Sequence, residues 1–355
     1  MALKQLHAIG QSLWLDNITR KLLDDGTLDR WCGELSLTGL TSNPTIFNQA
    51  ICTSKTYDGA IRRKAKEGKS GEALFFELAI EDLKRAAELF LQAHAASAGV
   101  DGWVSLEVSP ILVNDADATI EQAKRLHRQA DCKNLFIKIP GTVAGARAIE
   151  ESIFAGIPVN VTLLFSREQY ISANNAYQQG IARRIDAGLD PRVHCVASIF
   201  VSRWDKAVAD KLPPTLNNQL GVAICGQIYK TSLDRLASPG WQTLAEAGAL
   251  PQRVLWASTG TKDPALPLTY YADALAAPGT INTLPEKTLL ALNEPGAPDA
   301  TPMPKDGAAA DDTVAAVERA GVDITKLATQ LQEEGASAFK SSWRDLLASI
   351  ADKSH

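Results

Sequence analysis

The chain has 355 residues, 45% hydrophobic and 22% charged, with a net charge of −5. That is the composition of a globular protein with a sizeable core, and its mild acidity gives no nucleic-acid signal. One dense basic run, IRRKAKEGK at 61–69, reads as a solvated helix end. The five cysteines (Cys32, Cys52, Cys132, Cys195, Cys225) are odd in number, scattered, and lack metal-ligand spacing. They argue against a disulfide framework and fit a reducing compartment. The opening MALKQLHAIGQSLW has too short an apolar run for a signal peptide, and no stretch is long enough to span a bilayer. A soluble cytoplasmic protein is therefore expected.

In chain order, short β-type runs alternate with amphipathic helical segments. The predicted strands are SLWLD (12–16), LTGLTS (37–42), GWVSLEV (102–108), NLFIKI (134–139), PVNVTLLF (158–165), VHCVASIFV (193–201), RVLWAST (253–259) and TINTL (280–284). Between the second and third, residues 44–100 hold two or three helices. The segment 70–98 spaces Phe75, Ala79, Leu83, Ala86, Phe90 and Ala93 by three to four, with Ser70 as its N-cap. Segments 118–130, 142–155, 167–186 and 217–237 have the same character. The stretch 293–312, rich in Pro, Ala and Asp, reads as a surface loop. Asp323 then caps a C-terminal helical region, which Gly335 is expected to break or bend.

Eight strands alternating with helices predict a parallel α/β arrangement, and the count of eight favours a closed (β/α)8 TIM barrel. Barrels run to ~250 residues and exceed 400 with insertions, so one barrel domain over 1–355 is expected, with extra helices after the second strand and at the C-terminus. A doubly wound open sheet would need a Gly-rich turn after the first strand, and LDNITR has none.

The fourth strand poses the chemical question. Leu135, Ile137 and Ile139 fall on one face, and Phe136 and Lys138 on the other. Either this is an edge strand with a solvated amine, or the amine is there for chemistry. Other polar residues stand at or near strand ends, where barrels carry their sites: Asp16, Asn43, Glu107, Asn160 with Thr162, Ser198 with Arg203 beyond, then Ser258, Thr259 and Lys262. Each alone has a plainer reading, since a lone Asp or Asn after a strand usually caps the next helix, and Ser258–Thr261 could be a simple turn. Caps do not explain a lysine and a glutamate within otherwise apolar strands. A neutral lysine can attack a ketone, and the resulting iminium is an electron sink that makes the neighbouring C–C bond breakable. Asp16, Glu107 and the Thr162 hydroxyl are the acid/base groups at hand.

At this point the sequence resembles the transaldolase family in its longer bacterial form. LWLDNITR, GLTSNPTIF, VSLEVSP, FIKIPGT, VNVTLLFS, SIFVSRWD and EGASAFKSSW occur in family order along nearly the whole chain. The resemblance implies transfer of a dihydroxyacetone unit from sedoheptulose 7-phosphate to glyceraldehyde 3-phosphate in the pentose phosphate pathway, with no metal or organic cofactor. It implies Lys138 as the Schiff-base lysine, Asp16 as the acid/base for C–C cleavage, and Glu107 and Thr162 as holders of a proton-shuttling water. Asn43 and Asn160 would bond the dihydroxyacetone portion, with Ser198 at the Schiff-base end and Arg203 on the phosphate.

The second phosphate contact departs from the shorter forms, which carry Ser-x-Arg after the seventh strand. Here ASTGTKDP keeps Ser258, puts Gly260 at the arginine position, and offers Lys262 as the nearest cation. The lysine segment also resembles the aldolase branch that cleaves fructose 6-phosphate without an acceptor. That branch holds its water with Gln and Tyr, where this chain has Glu107 and Phe200. A barrel that binds sugar phosphates without turnover would be expected to lose Lys138 or Asp16, and both are present. The expected partners are sugar phosphates, with no nucleic acid and no membrane, for a monomer or homodimer.

Overall fold

The computed structural model describes residues 2–295 and 301–355. Eight strands form its centre: β1 (Ser12–Leu15), β2 (Leu37–Leu40), β3 (Val104–Glu107), β4 (Leu135–Pro140), β5 (Val159–Leu164), β6 (Cys195–Phe200), β7 (Arg253–Ala257) and β8 (Ile281–Leu284). They pair in parallel in the order β2-β1-β8-β7-β6-β5-β4-β3. Between the two ends of that order, Gly39 bridges Trp103, Leu40 N donates to Trp103 O (3.0 Å) and Gly102 N donates to Thr38 O (2.8 Å). The sheet thus curls into the expected (β/α)8 barrel. Closure needs the glycine: a Cβ on Gly39 would sit 2.7 Å from both Trp103 O and the Trp14 ring.

Strand alternation sorts the side chains into two layers. Leu135, Ile137 and Ile139 join the large core between barrel and helices, whereas Phe136 packs inward with Trp14, Trp103, Val196, Leu255 and Ile281. Trp103 and Phe136 rings lie 4.2 Å apart and plug the lower barrel. Because β4 is flanked by β3 and β5, it is not an edge, and Lys138 stands one inward position above this plug.

Three helices, Pro44–Thr53, Asp58–Lys66 and Gly71–Ala96, separate β2 from β3. The helix Ile324–Lys353 packs back onto the first and third of them, with Trp343 edge-on to Phe75 at 4.9 Å. Asp323 caps it as expected, accepting from Lys326 N at 2.9 Å.

Three local expectations change. Gly335 neither breaks nor bends this helix, which runs uninterrupted for 30 residues. Instead the missing side chain lets the helix approach β5 and Arg203: a Cβ there would lie 2.9 Å from Leu163 Cδ2 and 3.1 Å from Arg203 Nη1. Within 293–312, a helix already begins at Ala308 after Gly307, whose φ of 70° starts the turn, so the loop is shorter than composition suggested. Residues 296–300 of that loop lie outside the described residues. Ser70 occupies the N-cap position of Gly71–Ala96, but its side chain makes no capping bond. No helix among the described residues is long and apolar enough to cross a membrane.

Candidate active site

The C-terminal ends of the strands open into a cavity of about 410 Å³. Its walls include Asp16, Asn43, Lys138, Ser198, Arg203, Ser258 and Lys262, with Phe200 and Phe339 as apolar surfaces. Seven of the ten sequence-predicted site residues therefore share one space. The other three, Glu107, Asn160 and Thr162, are buried in the barrel wall.

Lys138 is 5% exposed, and its surroundings explain how an amine is tolerated there. Register places Glu107 of β3 directly beside it, and Glu107 Oε2 lies 3.2 Å from Nζ. This is an ion-pair contact rather than a well-aligned hydrogen bond, and Glu107 Oε1 has no hydrogen-bond partner among the described residues. Nζ also donates to the backbone carbonyl of Ser42 at 3.2 Å. Burial pushes the Glu107 carboxyl up, against the pull of Lys138, and Asp16 adds to the rise. Asp16 accepts from Thr41 Oγ1 at 3.1 Å. Its carboxyl is also raised by burial, with Lys138, Thr41 and Lys262 opposing. Asp16 is not a helix cap, since Thr19 caps the following helix Arg20–Asp24.

On the other side of Lys138, register sets Asn160 of β5 beside it. Asn160 accepts from Ser198 Oγ (2.7 Å) and donates to Ser105 Oγ (3.1 Å), so three strands fix its amide. Thr162 stands two residues further along the same inward face, fully buried, and its Oγ1 has no hydrogen-bond partner among the described residues. A carboxylate and a fixed amide thus flank one amine, with a buried hydroxyl two residues further along β5.

The cavity's outer end is cationic. Arg203 lies over the Phe200 ring at 5.1 Å, and burial pushes its guanidinium down against the charge of Glu334. Partial desolvation at the rim, with Arg203 and Lys206 nearby, holds Lys262 below the usual lysine range, while Asp16 opposes. Among the described residues, neither Arg203 nor Lys262 makes an ion pair within 4.0 Å. Two cations without a close ion-pair partner at the mouth of an acidic protein suit a dianion such as a phosphate monoester. Ser258 lines the same cavity with φ of 56° and shares a 3.1 Å hydroxyl contact with Ser202. Asn43 lines the cavity while its Oδ1 caps the helix Pro44–Thr53, accepting from Ile46 N at 3.0 Å.

Comparison with known proteins decides the family. The sequence profile of the Transaldolase/Fructose-6-phosphate aldolase family matches residues 13–350. A protein named transaldolase from Arthrobacter sp. (strain FB24) is 39% identical, covering 98% of this chain and 96% of its own length. One of the same name from Renibacterium salmoninarum is 40% identical over 98% of this chain and 95% of its own. Another, from Thermobifida fusca, is 40% identical over 99% and 98%. The chain belongs to the transaldolase family.

This transaldolase-family site also uses residues that sequence reasoning missed. Thr41 holds Asp16, the Ser42 carbonyl holds Lys138, and Ser105 holds Asn160. Thr41 and Ser42 adjoin Asn43 in GLTSNP, and Ser105 is two residues before Glu107, so proximity in sequence was the available signal. Phe339 reaches the cavity from nearly two hundred residues beyond β4. Nothing local marked it.

Proposed function

We propose that the chain transfers a dihydroxyacetone unit from sedoheptulose 7-phosphate to glyceraldehyde 3-phosphate, giving erythrose 4-phosphate and fructose 6-phosphate, through a Schiff base on Lys138. The observation that carries this reading is the placement of Lys138 Nζ, buried against Glu107 yet open to the cavity that Asp16 lines. Arg203 and Lys262 at the rim suit the ketose phosphate, with Ser258 on the same cavity wall. Asn43, Asn160 and Ser198 suit the hydroxyls of the three-carbon end.

The neutral amine of Lys138 adds to the C2 ketone, and the carbinolamine loses water to give an iminium. Glu107, whose raised carboxyl favours holding a proton, exchanges protons with the amine and the leaving hydroxyl, with the Thr162 hydroxyl relaying through water. Asp16 takes the proton of the C4 hydroxyl. The C3–C4 bond breaks, its electron pair passes into the iminium, and the aldose phosphate leaves an enamine behind. The enamine then attacks the acceptor aldehyde, Asp16 returns its proton to the new alkoxide, and hydrolysis frees Lys138.

Borohydride reduction in the presence of fructose 6-phosphate tests the covalent step. Mass spectrometry should find a three-carbon unit on the peptide containing Lys138. The same mass on Lys133 or Lys262 would sink the assignment. Lys138→Arg should fold and be inactive, because arginine stays protonated.

A further inference from the structure

We propose that Gln332, on the C-terminal helix Ile324–Lys353, is a positioning residue that sets the direction of the Thr162 hydroxyl; the proposal rests on the role given to Thr162 above. Gln332 lies far from the strands in sequence, yet its side-chain Nε2 donates to two carbonyls at the mouth of the barrel. These are Leu163 O at 2.9 Å and Gly141 O at 3.1 Å. An amide NH2 has two protons, so one nitrogen serves both acceptors. It thereby joins the tip of β5, immediately after Thr162, to the residue following β4.

The segment it holds is strained. Leu163 is 1% exposed and has φ of 58°, in the left-handed region that side chains with a Cβ avoid. The register between β5 and β6 slips at this point, between Val161 and Leu164. Bulges of this kind re-aim a side chain, and the one re-aimed here is adjacent to Thr162. Thr162's own carbonyl accepts from Gly141 N at 2.7 Å. Gly141 is tightly packed at that approach, where a Cβ would come within 2.3 Å of Leu164 Cδ2 and 3.0 Å of Val161 Cγ1. Gln332, Gly141 and Leu163 therefore bracket the Thr162 peptide from both sides. The glycine at 335, less than one turn further along the helix, lets the helix come close enough for the amide to reach.

Gln332→Leu removes both donors, and Gln332→Glu keeps the shape while replacing them with acceptors. A displaced proton-relay hydroxyl should slow formation of the Lys138 adduct, read by rapid-quench borohydride trapping, by roughly ten- to a hundredfold. The KM for fructose 6-phosphate should stay within about twofold, because Arg203 and Lys262 are untouched. In a Thr162→Val background the same Gln332 change should cost nothing further, since the group it positions is gone. A folded Gln332→Leu or Gln332→Glu protein that traps at the wild-type rate overturns the proposal. So does an additive loss in the Thr162→Val background, which leaves the reading of Thr162 standing. Unchanged trapping in Thr162→Val alone removes Thr162 from the proton path and this proposal with it.

Discussion

Asp16 and Glu107 flank one lysine, and their different surroundings suit the separate parts the proposed mechanism gives them. Glu107 is 4% exposed and touches Lys138 at 3.2 Å, which suits the proposed exchange of protons with the amine. Asp16 opens onto the cavity and is steadied by Thr41, which leaves its other oxygen for a substrate hydroxyl. For Asp16, burial outweighs the attraction of Lys138, Thr41 and Lys262, and the folded-state carboxyl titrates above its ordinary range. Between the unfolded value near about 4 and the raised folded value, the native state binds a proton that the unfolded chain does not. Stability attributable to Asp16 is therefore lost as pH rises through that window, and at neutral pH the carboxyl destabilises the fold. Asp16→Asn should raise the urea midpoint at pH 7, with the gain shrinking as pH falls toward the ordinary carboxylate range. The same variant should still form the Lys138 adduct while C–C cleavage falls by roughly 10²–10⁴-fold. A midpoint at pH 7 equal to or below that of wild type would show that the charge attractions, not burial, dominate at this site.

At the level of elements, strand C-terminal ends carry the chemistry and N-terminal ends carry stability. Below β3, Trp103 packs between His94 and His194, each ring centroid 4.9 Å away. Arg253 at the start of β7 donates to Ser12 Oγ (2.7 Å), Thr280 O (3.0 Å), Gly279 O (3.1 Å) and Val100 O (3.0 Å), tying several strand entries together. Burial, with His94 and Arg253 adding, pushes His194 down to about 4. A histidine held neutral in this way contributes stability that is complete above its unfolded pKa near 6.5 and is lost progressively as pH falls toward about 4. The urea midpoint of His194→Gln should therefore fall less steeply than that of wild type between pH 7 and 4. Parallel curves would assign the acid response to other groups.

These two ends differ in how far the sequence revealed them. Strand positions and the inward parity of Lys138 followed from two-residue alternation, and the clustering of polar residues at strand ends pointed to the cavity. What stayed hidden depends on distant partners. Gly39 is needed because Trp14 and Trp103 crowd it, Gly335 because Leu163 and Arg203 do, and the Ser42 carbonyl matters only once β2 curls beside β4. Local pattern carries no record of such meetings. It therefore read Gly335 as a helix breaker.

For the whole molecule, the decisive question is what happens to the three-carbon enamine between the departure of one aldose and the arrival of the next. The cavity of about 410 Å³ is open to an incoming aldehyde, and its rim cations favour an acceptor that carries phosphate. Protonation by solvent would instead release free dihydroxyacetone. In the proposed mechanism Asp16 keeps the proton it took from the C4 hydroxyl for the new alkoxide, and beyond it the groups placed to protonate the enamine are few. Glu107 is closed off behind Lys138, and the ring on the β6 wall is Phe200, packed 5.2 Å from Phe165 and covered by Arg203. A phenylalanine has no proton to give. Fructose 6-phosphate alone, with the released glyceraldehyde 3-phosphate removed by a coupled reaction, should thus yield one equivalent per site and then nearly stop. Adding erythrose 4-phosphate should make the release continuous and build sedoheptulose 7-phosphate. Steady production of free dihydroxyacetone at a rate comparable to transfer would make the protein a lyase. Phe200→Tyr should move it in that direction, by placing an acidic hydroxyl on the wall beside the enamine. A Phe200→Tyr protein with the wild-type ratio of transfer to dihydroxyacetone release would show that the missing phenol is not what protects the intermediate.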